Sequence, residues 1–247
     1  INIKYYYNII MKEKPLNLDL IYVSYNNDTE INFLHNQITK FSHIVNNVIV
    51  IDNGSADNTY DKLQEYLGSI KNIKVIKIEK NVHYGGAIKK ALTICESDFI
   101  SWMNGDSSIS DDFFLDAKKI IDSNDPNIFI KGKRKSRRVL EVVVTSLLNI
   151  YTSLVLKNFY SDVSAFPTII SKSVKQNIIE SGFDDYTFEL SAYHLSHKLK
   201  YRIFKIPVSY TTAYDNESTW TRDFKGYWNM SKIWRKSILL LKNSQND

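Results

Sequence analysis

The chain has 247 residues, 43% of them hydrophobic, so it is long enough to bury the core of one compact domain. Its 32 basic and 27 acidic residues give a net charge of +5, which favours anionic partners such as nucleotides, phospholipid surfaces or nucleic acids. The single cysteine, Cys95, excludes an internal disulfide framework and fits a reducing compartment.

Residues 1–17 are expected to form an N-terminal extension, because they lack the basic-then-apolar order of a signal peptide. No apolar stretch reaches the roughly 18 to 20 residues of a membrane-spanning helix. Val139–Leu156 comes nearest, but it carries Glu141 and Asn149. A buried or interfacial helix is predicted there.

Short apolar strands alternate with helices through the first half of the chain. The predicted strands are Leu18–Tyr25, Val48–Ile51, Ile73–Ile78 and Phe99–Met103. Apolar residues at helical spacing predict a helix after each of the first three strands. Continuous apolar strands are typical of a parallel sheet covered on both faces. We therefore predict an α/β fold with a Rossmann-like, mostly parallel central sheet and helices on both faces.

The second half is less regular. Its predicted elements are a helix at Asp112–Ser123, a strand at Ile128–Ile130, a basic stretch at Lys131–Arg138, a helix at Val139–Phe159, helices near Val174–Ser181 and Phe188–Leu199, and β segments at Tyr201–Ile206 and Val208–Tyr210. Pro207 should interrupt the last two and place them toward a sheet edge. An amphipathic helix with Trp228 and Trp234 closes the chain.

Polar loops follow the first, second and fourth strands. They are Tyr25–Asp28, Asp52–Asp57 and Asn104–Ser108. Ligands of parallel sheets bind beyond the carboxyl ends of the strands, so these loops should meet in one crevice. Asp52 could accept hydrogen bonds from a base or a ribose while Gly54 lets the backbone come close, although an ordinary turn explains the pattern equally well.

Asn104 and Asp106 present an amide and a carboxylate one residue apart. Such oxygen ligands can meet a divalent cation, which would neutralise a pyrophosphate leaving group, although a turn is the commoner reason for the pattern. Tyr84-Gly85-Gly86 opens a helix and could expose N–H groups to phosphate; close helix packing is the alternative. It matches neither a Rossmann fingerprint nor a Walker loop.

The basic stretch Lys131–Arg138 could hold phosphate, with Arg134 and Arg138 in direct contact, or it could be a solvated loop. Asp162 and Glu189 are the downstream carboxylates that could act as a general base; an exposed helix position is the default for Glu189. No nucleic-acid motif is present, so no nucleic-acid partner is expected.

In this order, the segments resemble the GT-A glycosyltransferases of family 2, particularly the dolichol-phosphate mannosyltransferase-like (polyprenyl-phosphate glycosyltransferase-like) branch. The matching stretches are Val23–Asn27, Val50–Thr59, Asn81–Leu92, Trp102–Ser108, Gly132–Arg134, Asp162–Pro167 and Pro207–Ser218. Residues 18–218 are accordingly expected to form the GT-A domain. Residues 219–247 should form a C-terminal helix that faces a membrane or a partner.

The resemblance implies inverting transfer of a sugar from a UDP- or GDP-sugar to an acceptor, either a polyprenyl phosphate or a growing surface glycan. The residues assigned to the nucleotide are Tyr25, Asn27, Asp52, Gly54, Ser55, Gly85 and Asn104. Asn104 and Asp106 would hold Mg²⁺ or Mn²⁺. Those assigned to phosphate or acceptor are Lys133, Arg134, Arg138 and Ser218, and those assigned to catalysis are Asp162, Glu189 and Arg134.

Two departures from the family pattern stand out. Asn104 replaces the first carboxylate of the Asp-x-Asp motif, which predicts weaker metal binding. Ala213 and Asn216 replace an Arg and a Gly of the acceptor segment, where only Ser218 is kept.

We expect a metal-dependent hexosyltransferase of cell-envelope polysaccharide assembly, in the cytoplasm or peripheral on the inner face of the membrane. A non-catalytic glycosyltransferase-like subunit of a membrane glycan-assembly complex stays open as an alternative. A sugar nucleotidyltransferase is the third candidate, although the Gly-rich loop that this chemistry uses is missing. The sequence does not indicate the oligomeric state.

Overall fold

The computed structural model describes residues 14–105, 107–124, 126–135, 139–212 and 224–243. The strands are β1 (Leu16–Ser24), β2 (Val45–Asp52), β3 (Ile73–Lys77), β4 (Phe99–Asn104), β5 (Ser107–Ile109), β6 (Ile128–Arg134), β7 (Thr168–Ser171), β8 (Arg202–Val208) and β9 (Tyr210–Thr212). The helices are α1 (Ile31–Ser42), α2 (Thr59–Leu67), α3 (His83–Leu92), α4 (Asp112–Asp122), α5 (Val139–Leu156), α6 (Lys175–Ile179), α7 (Phe188–Lys198) and α8 (Phe224–Asn243). Short 3₁₀ turns occupy Asp28–Glu30 and Lys172–Val174.

Seven strands form one mixed sheet in the order β3-β2-β1-β4-β7-β6-β8. β1 pairs in parallel with β2 and β4, β2 with β3, and β6 with β8. β7 is antiparallel to both of its neighbours, β4 and β6. A second sheet pairs β5 with β9. The predicted α/β class and mostly parallel sheet are confirmed.

Helices cover both faces of the large sheet. On one face, α1, α2 and α4 bury side chains such as Leu34, Leu63 and Phe114. On the other face, α3 and the helices from α5 onward contribute to a second cluster that includes Phe188 and Trp234.

The two cores explain the continuous apolar strands. Along β1, Leu20 and Tyr22 lie in the first cluster, whereas Ile21 and Val23 lie in the second. Successive side chains of a strand point to opposite faces, so a strand covered on both sides needs apolar residues at every position.

Two predictions about the second half are wrong. The basic stretch was expected to follow the strand, but its first four residues, Lys131–Arg134, belong to β6 and Lys131 is fully buried. β8 also continues through Pro207 instead of breaking there. β8 is the edge strand of the sheet, where Pro207 pairs with Lys133 and its missing N–H can face outward.

The predicted apolar helix is present as α5 and ends at Leu156, three residues earlier than expected. None of the helices in the described part of the chain is long and apolar enough to span a membrane. One side of α5 is nevertheless exposed, with Val139, Leu147 and Leu154 showing 81%, 63% and 74% of their surface.

Candidate active site

Three neighbouring strands end together at the carboxyl edge of the sheet. In the strand register, Ser24 of β1 lies beside Asp52 of β2, and Val23 lies beside Asn104 of β4. The end of β1 therefore lies between Asp52 on β2 and Asn104 on β4. We use the term strand-end crevice for the site formed by residues 24–28, 52–57 and 104–105.

Asp52 is fully buried at the bottom of this crevice. Ser55 Oγ donates to its Oδ1, while its Oδ2 has no hydrogen-bond partner among the described residues. Burial raises the pKa of Asp52, against the opposing effect of the Ser55 hydrogen bond. A buried acceptor without a donor costs free energy, so Asp52 is suited to receive a donor group from a ligand.

The first two loops of the crevice are tied to each other. Asn26 N donates to Ser55 Oγ at 2.9 Å, and Ala56 N donates to Asn26 Oδ1 at 2.9 Å. Asp28 N donates to Asp57 Oδ2 at 3.2 Å. These contacts hold the Asp52 loop against the end of β1. Asn26 was not predicted as a site residue, because its partners lie about 30 positions away.

Asn27 was assigned to the nucleotide, but its side-chain oxygen serves the loop. Oδ1 accepts from Ser24 Oγ at 2.9 Å and from Tyr25 N at 3.0 Å, and Asn27 N donates to Thr59 Oγ1 at 2.8 Å. These bonds turn the chain sharply after β1. Tyr25 has 46% of its surface exposed at this turn, so its ring is available to a ligand.

Two glycines in the crevice permit close backbone contacts. Gly54 has a φ of +75°, and a Cβ there would lie 2.6 Å from Asn81 N. A Cβ on Gly105 would lie 2.9 Å from Val23 O, the same carbonyl that accepts from Gly105 N at 2.8 Å. Larger residues would push the loops apart.

Of the two predicted metal ligands, Asn104 is the one within the described residues. Its Oδ1 is buried without a hydrogen-bond partner among the described residues. Asp106 lies outside the described residues. Within the described ranges no three His, Cys, Asp or Glu side chains cluster as metal ligands. Oxygen from an amide suits a hard cation, so the Asn104 side chain fits Mg²⁺ or Mn²⁺ as one ligand of a set.

Gly85, which was predicted to lie near phosphate, packs closely against the segment before α7. A Cβ on it would be 2.7 Å from Phe188 Cβ and 2.9 Å from Asp184 O. Its place at the start of α3 is therefore filled by the segment that leads into α7. This close contact agrees with the helix-packing alternative for this glycine.

Arg134 and Asp162 form an ion pair at the end of β6. Arg134 Nε and Nη2 both lie 2.8 Å from Asp162 Oδ1, and Arg134 N donates to Asp162 Oδ2 at 2.8 Å. Asp162 is buried and has a φ of +54°. Lys133 is exposed on the same strand. Arg138 and Ser218 lie outside the described residues.

Glu189 is not a base open to a substrate. It is 4% exposed, and its carboxylate accepts from Trp102 Nε1, Lys131 Nζ and Thr168 Oγ1. The default of an exposed helix position was also wrong. Its partner Lys131 was not predicted, because the two residues are 58 positions apart.

The structure thus brings Tyr25, Asp52, Ser55 and Asn104 into one crevice. The Arg134–Asp162 pair belongs to a separate strand end across β7. Gly85, Asn27 and Glu189 make close contacts with other parts of the protein.

Several solved glycosyltransferase structures share this architecture. Glucosyl-3-phosphoglycerate synthase from Mycobacterium tuberculosis, in complex with Mn²⁺, UDP and glucosyl-3-phosphoglycerate, gives a TM-score of 0.64 at 17% identity, covering 95% of this chain and 81% of that chain. A mannosyltransferase from Pyrobaculum calidifontis, in complex with GDP-mannose and Mn²⁺, gives 0.61 at 14% identity, covering 98% and 70%. S. aureus TarS gives 0.55 at 19% identity, covering 88% and 39%. These likenesses identify the GT-A fold.

A family model described as Glycosyl transferase family 2 matches residues 19–164, which is more than half of the chain. The chain therefore belongs to glycosyl transferase family 2. No curated protein matches it. The matched range contains the strand-end crevice and the Arg134–Asp162 pair.

Proposed function

We propose that the protein transfers a sugar with inversion from a UDP- or GDP-sugar bound in the strand-end crevice. The main support is the pair of buried oxygens, Asp52 Oδ2 and Asn104 Oδ1, that lack a donor among the described residues on either side of the β1 end. In this proposal Asp52 accepts from the base or ribose, and Tyr25 covers the base. Ser55 fixes the rotation of the Asp52 carboxylate.

Asn104 and Asp106 would hold Mg²⁺ or Mn²⁺ together with the diphosphate of the donor. The cation would neutralise charge that develops on the leaving diphosphate. Mn²⁺ is present in the complexes of the similar M. tuberculosis and P. calidifontis enzymes. With an amide in place of one carboxylate, this protein should bind the cation mainly when the nucleotide is present.

The acceptor is proposed to approach from the β6 side, past Lys133 and Arg134. An acceptor phosphate, as on a polyprenyl phosphate, is already a nucleophile and needs no strong protein base. This chemistry agrees with a site in which Asp162 is paired with Arg134 and Glu189 is enclosed in the core. A hydroxyl of a surface glycan would instead require a base, with Asp162 as the candidate.

Incubation with a panel of nucleotide sugars, Mg²⁺ or Mn²⁺ and polyprenyl phosphate tests the proposal. We expect release of one nucleoside diphosphate for each glycosyl phosphate formed, and an anomeric configuration in the product opposite to that of the donor sugar. An Asp106→Ala variant should lose most of this activity. A wild-type protein that binds none of the nucleotides and transfers no sugar would rule the proposal out.

We also propose that the protein contacts the inner face of a membrane through α5. Exposed apolar side chains run along this helix at Val139, Val143, Leu147, Ile150 and Leu154. The stripe is about 22 Å long at 1.5 Å per residue. Large exposed apolar patches mark interaction surfaces, and an apolar helix beside basic residues suits an anionic lipid surface.

Charge favours lipid over a second copy of the chain. α8, which packs beside α5, carries only basic charged residues, and α5 carries one acidic residue and no basic one. Flotation with vesicles containing phosphatidylglycerol should recover the full chain, whereas phosphatidylcholine alone should recover less. Leu147→Asp/Leu154→Asp should abolish flotation, and the control Tyr66→Asp, also at an exposed ring, should retain it. Salt-independent dimerisation with no flotation would contradict lipid contact.

Asn104 also motivates the second candidate, a non-catalytic subunit of a membrane glycan-assembly complex. This candidate predicts that a stable complex survives when Asp52 and Asp106 are both replaced. It also predicts no turnover in any nucleotide-sugar panel, which separates it from the transferase.

A further inference from the structure

A buried polar network joins four elements beneath the candidate active site. Glu189 of α7 accepts from Trp102 Nε1 at 2.6 Å, from Lys131 Nζ at 2.9 Å and from Thr168 Oγ1 at 2.8 Å. Lys131 Nζ also donates to Ala165 O at 2.6 Å and lies 3.0 Å from Thr168 Oγ1. Trp102, Lys131 and Thr168 are fully buried. The network therefore connects β4, β6, β7 and the loop before β7 through α7.

On the donor side, the network reaches the strand-end crevice through β4. Trp102 precedes Asn104 by two positions, so both side chains point to the same face of the sheet. Phe188, which adjoins Glu189, packs edge-on against the Trp102 ring at a centroid distance of 5.3 Å. The carboxyl end of β4 is thus held by the Trp102–Glu189 hydrogen bond as well as by ring packing.

On the acceptor side, the network reaches both members of the Arg134–Asp162 pair. Lys131 precedes Arg134 by three positions in β6. Ala165, whose carbonyl accepts from Lys131, donates its own N–H to Asp162 O at 2.9 Å. One ammonium group therefore restrains the strand that carries Arg134 and the loop that carries Asp162.

Core cohesion alone does not require this arrangement. Removing an ion pair from water is costly, and an apolar pair of similar volume is often as stable or more stable. Burial lowers the pKa of Lys131, and the neighbouring Glu189 opposes that change. What an apolar pair cannot supply is direction, because only the hydrogen bonds specify the separations of Trp102, Lys131 and Thr168 from one carboxylate.

We propose that Glu189 and Lys131 are positioning residues that fix the Asn104 end of β4 relative to the Arg134–Asp162 pair. The names donor side and acceptor side rest on the proposed transferase function; the mechanical coupling does not. Loss of the coupling should disturb the alignment of the two sides while each side keeps its own contacts.

The test replaces the charged pair by an apolar one of similar size, Lys131→Met/Glu189→Leu, in the full chain. Amide hydrogen exchange should become at least fivefold faster in peptides covering Asn104–Ile109 and Tyr160–Phe166, with Tm within a few degrees of the wild-type value. In the transferase assay, kcat should fall at least tenfold while the donor KM stays within twofold. If the charged pair contributed only to stability, the double variant with a wild-type Tm would also show wild-type exchange rates and a wild-type kcat.

Asp19→Asn is the matched control. Asp19 is a buried carboxylate at the opposite edge of the sheet, where it accepts from Ser97 N, Ser97 Oγ and Glu96 N. This variant should lower Tm without changing exchange at Asn104–Ile109 or kcat.

Glu189→Gln, which keeps the side-chain shape, decides the matter if the double variant does not fold. It should give a threefold or greater increase in exchange at both segments. Wild-type exchange in either folded variant would overturn the proposal. Because the exchange readout uses neither nucleotide nor turnover, an inactive wild-type protein would refute the proposed function and leave the exchange result to decide this inference.

Discussion

Asp52 is the residue on which the proposed nucleotide site depends most. Its carboxylate is buried with one oxygen unpaired among the described residues, and burial raises its pKa. Because the pKa of Asp52 is higher in the folded chain than in the unfolded chain, ionisation of its carboxylate lowers the stability of the folded state as pH rises through the range between the two values. The free protein therefore carries a cost that a donor group on a nucleotide would offset.

Asp52→Asn should separate these effects. Removing the charge should leave Tm unchanged or raised, while the affinity for the cognate nucleoside diphosphate should fall about tenfold, or ~1.4 kcal/mol. Calorimetric titration of UDP and GDP with Mn²⁺ present gives the affinity, and thermal unfolding gives Tm. Asp61→Asn, at an exposed carboxylate of α2, is the control. Equal nucleotide affinity in Asp52→Asn and wild type would remove Asp52 from the site.

The buried His194 side chain should make the folded protein less stable as pH falls. It is buried, its Nδ1 lies 2.6 Å from Tyr160 Oη, and burial lowers its pKa to about 4. The unfolded chain therefore binds the proton more readily between pH 4 and about 6.5, so this contribution is complete above pH 6.5 and is lost as pH falls toward 4.

Urea unfolding at pH 7.5 and pH 4.5 measures this loss. The free energy of unfolding should drop by on the order of 3 kcal/mol from His194 alone, and His194→Gln should have a smaller pH dependence. His43→Gln, at an exposed position, should behave like wild type. Identical pH slopes for wild type and His194→Gln would contradict the assignment.

At the scale of single elements, the β4–β5 turn depends on Gly105. A Cβ there would approach Val23 O to 2.9 Å, a backbone atom that cannot move without displacing β1. Gly105→Ala should destabilise the protein by about 1–3 kcal/mol and weaken nucleotide affinity. Gly182→Ala is the comparison, because its φ of +73° adds strain while nothing lies within 4 Å of the new Cβ. Both affinities are measured by the same titration; undiminished nucleotide binding in Gly105→Ala would separate this turn from the crevice.

The elements differ in how well the sequence predicted them. β1, β2 and β4 followed from continuous apolar runs, because each is buried on both faces and its signal is local. β3 lies at the edge of the sheet and is only partly buried. Lys131 looked like the first residue of a basic loop, since its carboxylate partner is on α7 and the pattern of charges along the chain cannot show that contact. Within the part of the chain that the structure describes, β5 and β9 are three residues each and pair with one another alone, so neither has a periodic signal of its own.

For the whole molecule, the sequence predicted which strand ends meet but not how the two halves join. The antiparallel β7 inserts between β4 and β6, which separates the strand-end crevice from the Arg134–Asp162 pair. Long-range pairing of this kind leaves no mark in composition or spacing. Asp52 and Asn104 could be proposed from the sequence because their positions at the ends of buried strands are a local feature, whereas the internal contacts of Asn27 and Gly85 are seen only in the structure.

The central claim is that a nucleotide lies between Asp52 and Asn104. A crystal structure of the full chain soaked with UDP or GDP and Mn²⁺ tests it most directly. We predict density for the base and ribose within hydrogen-bond distance of Asp52 Oδ2, with the diphosphate beside Asn104 and Asp106. Nucleotide bound elsewhere, or an empty crevice at saturating nucleotide, would contradict it.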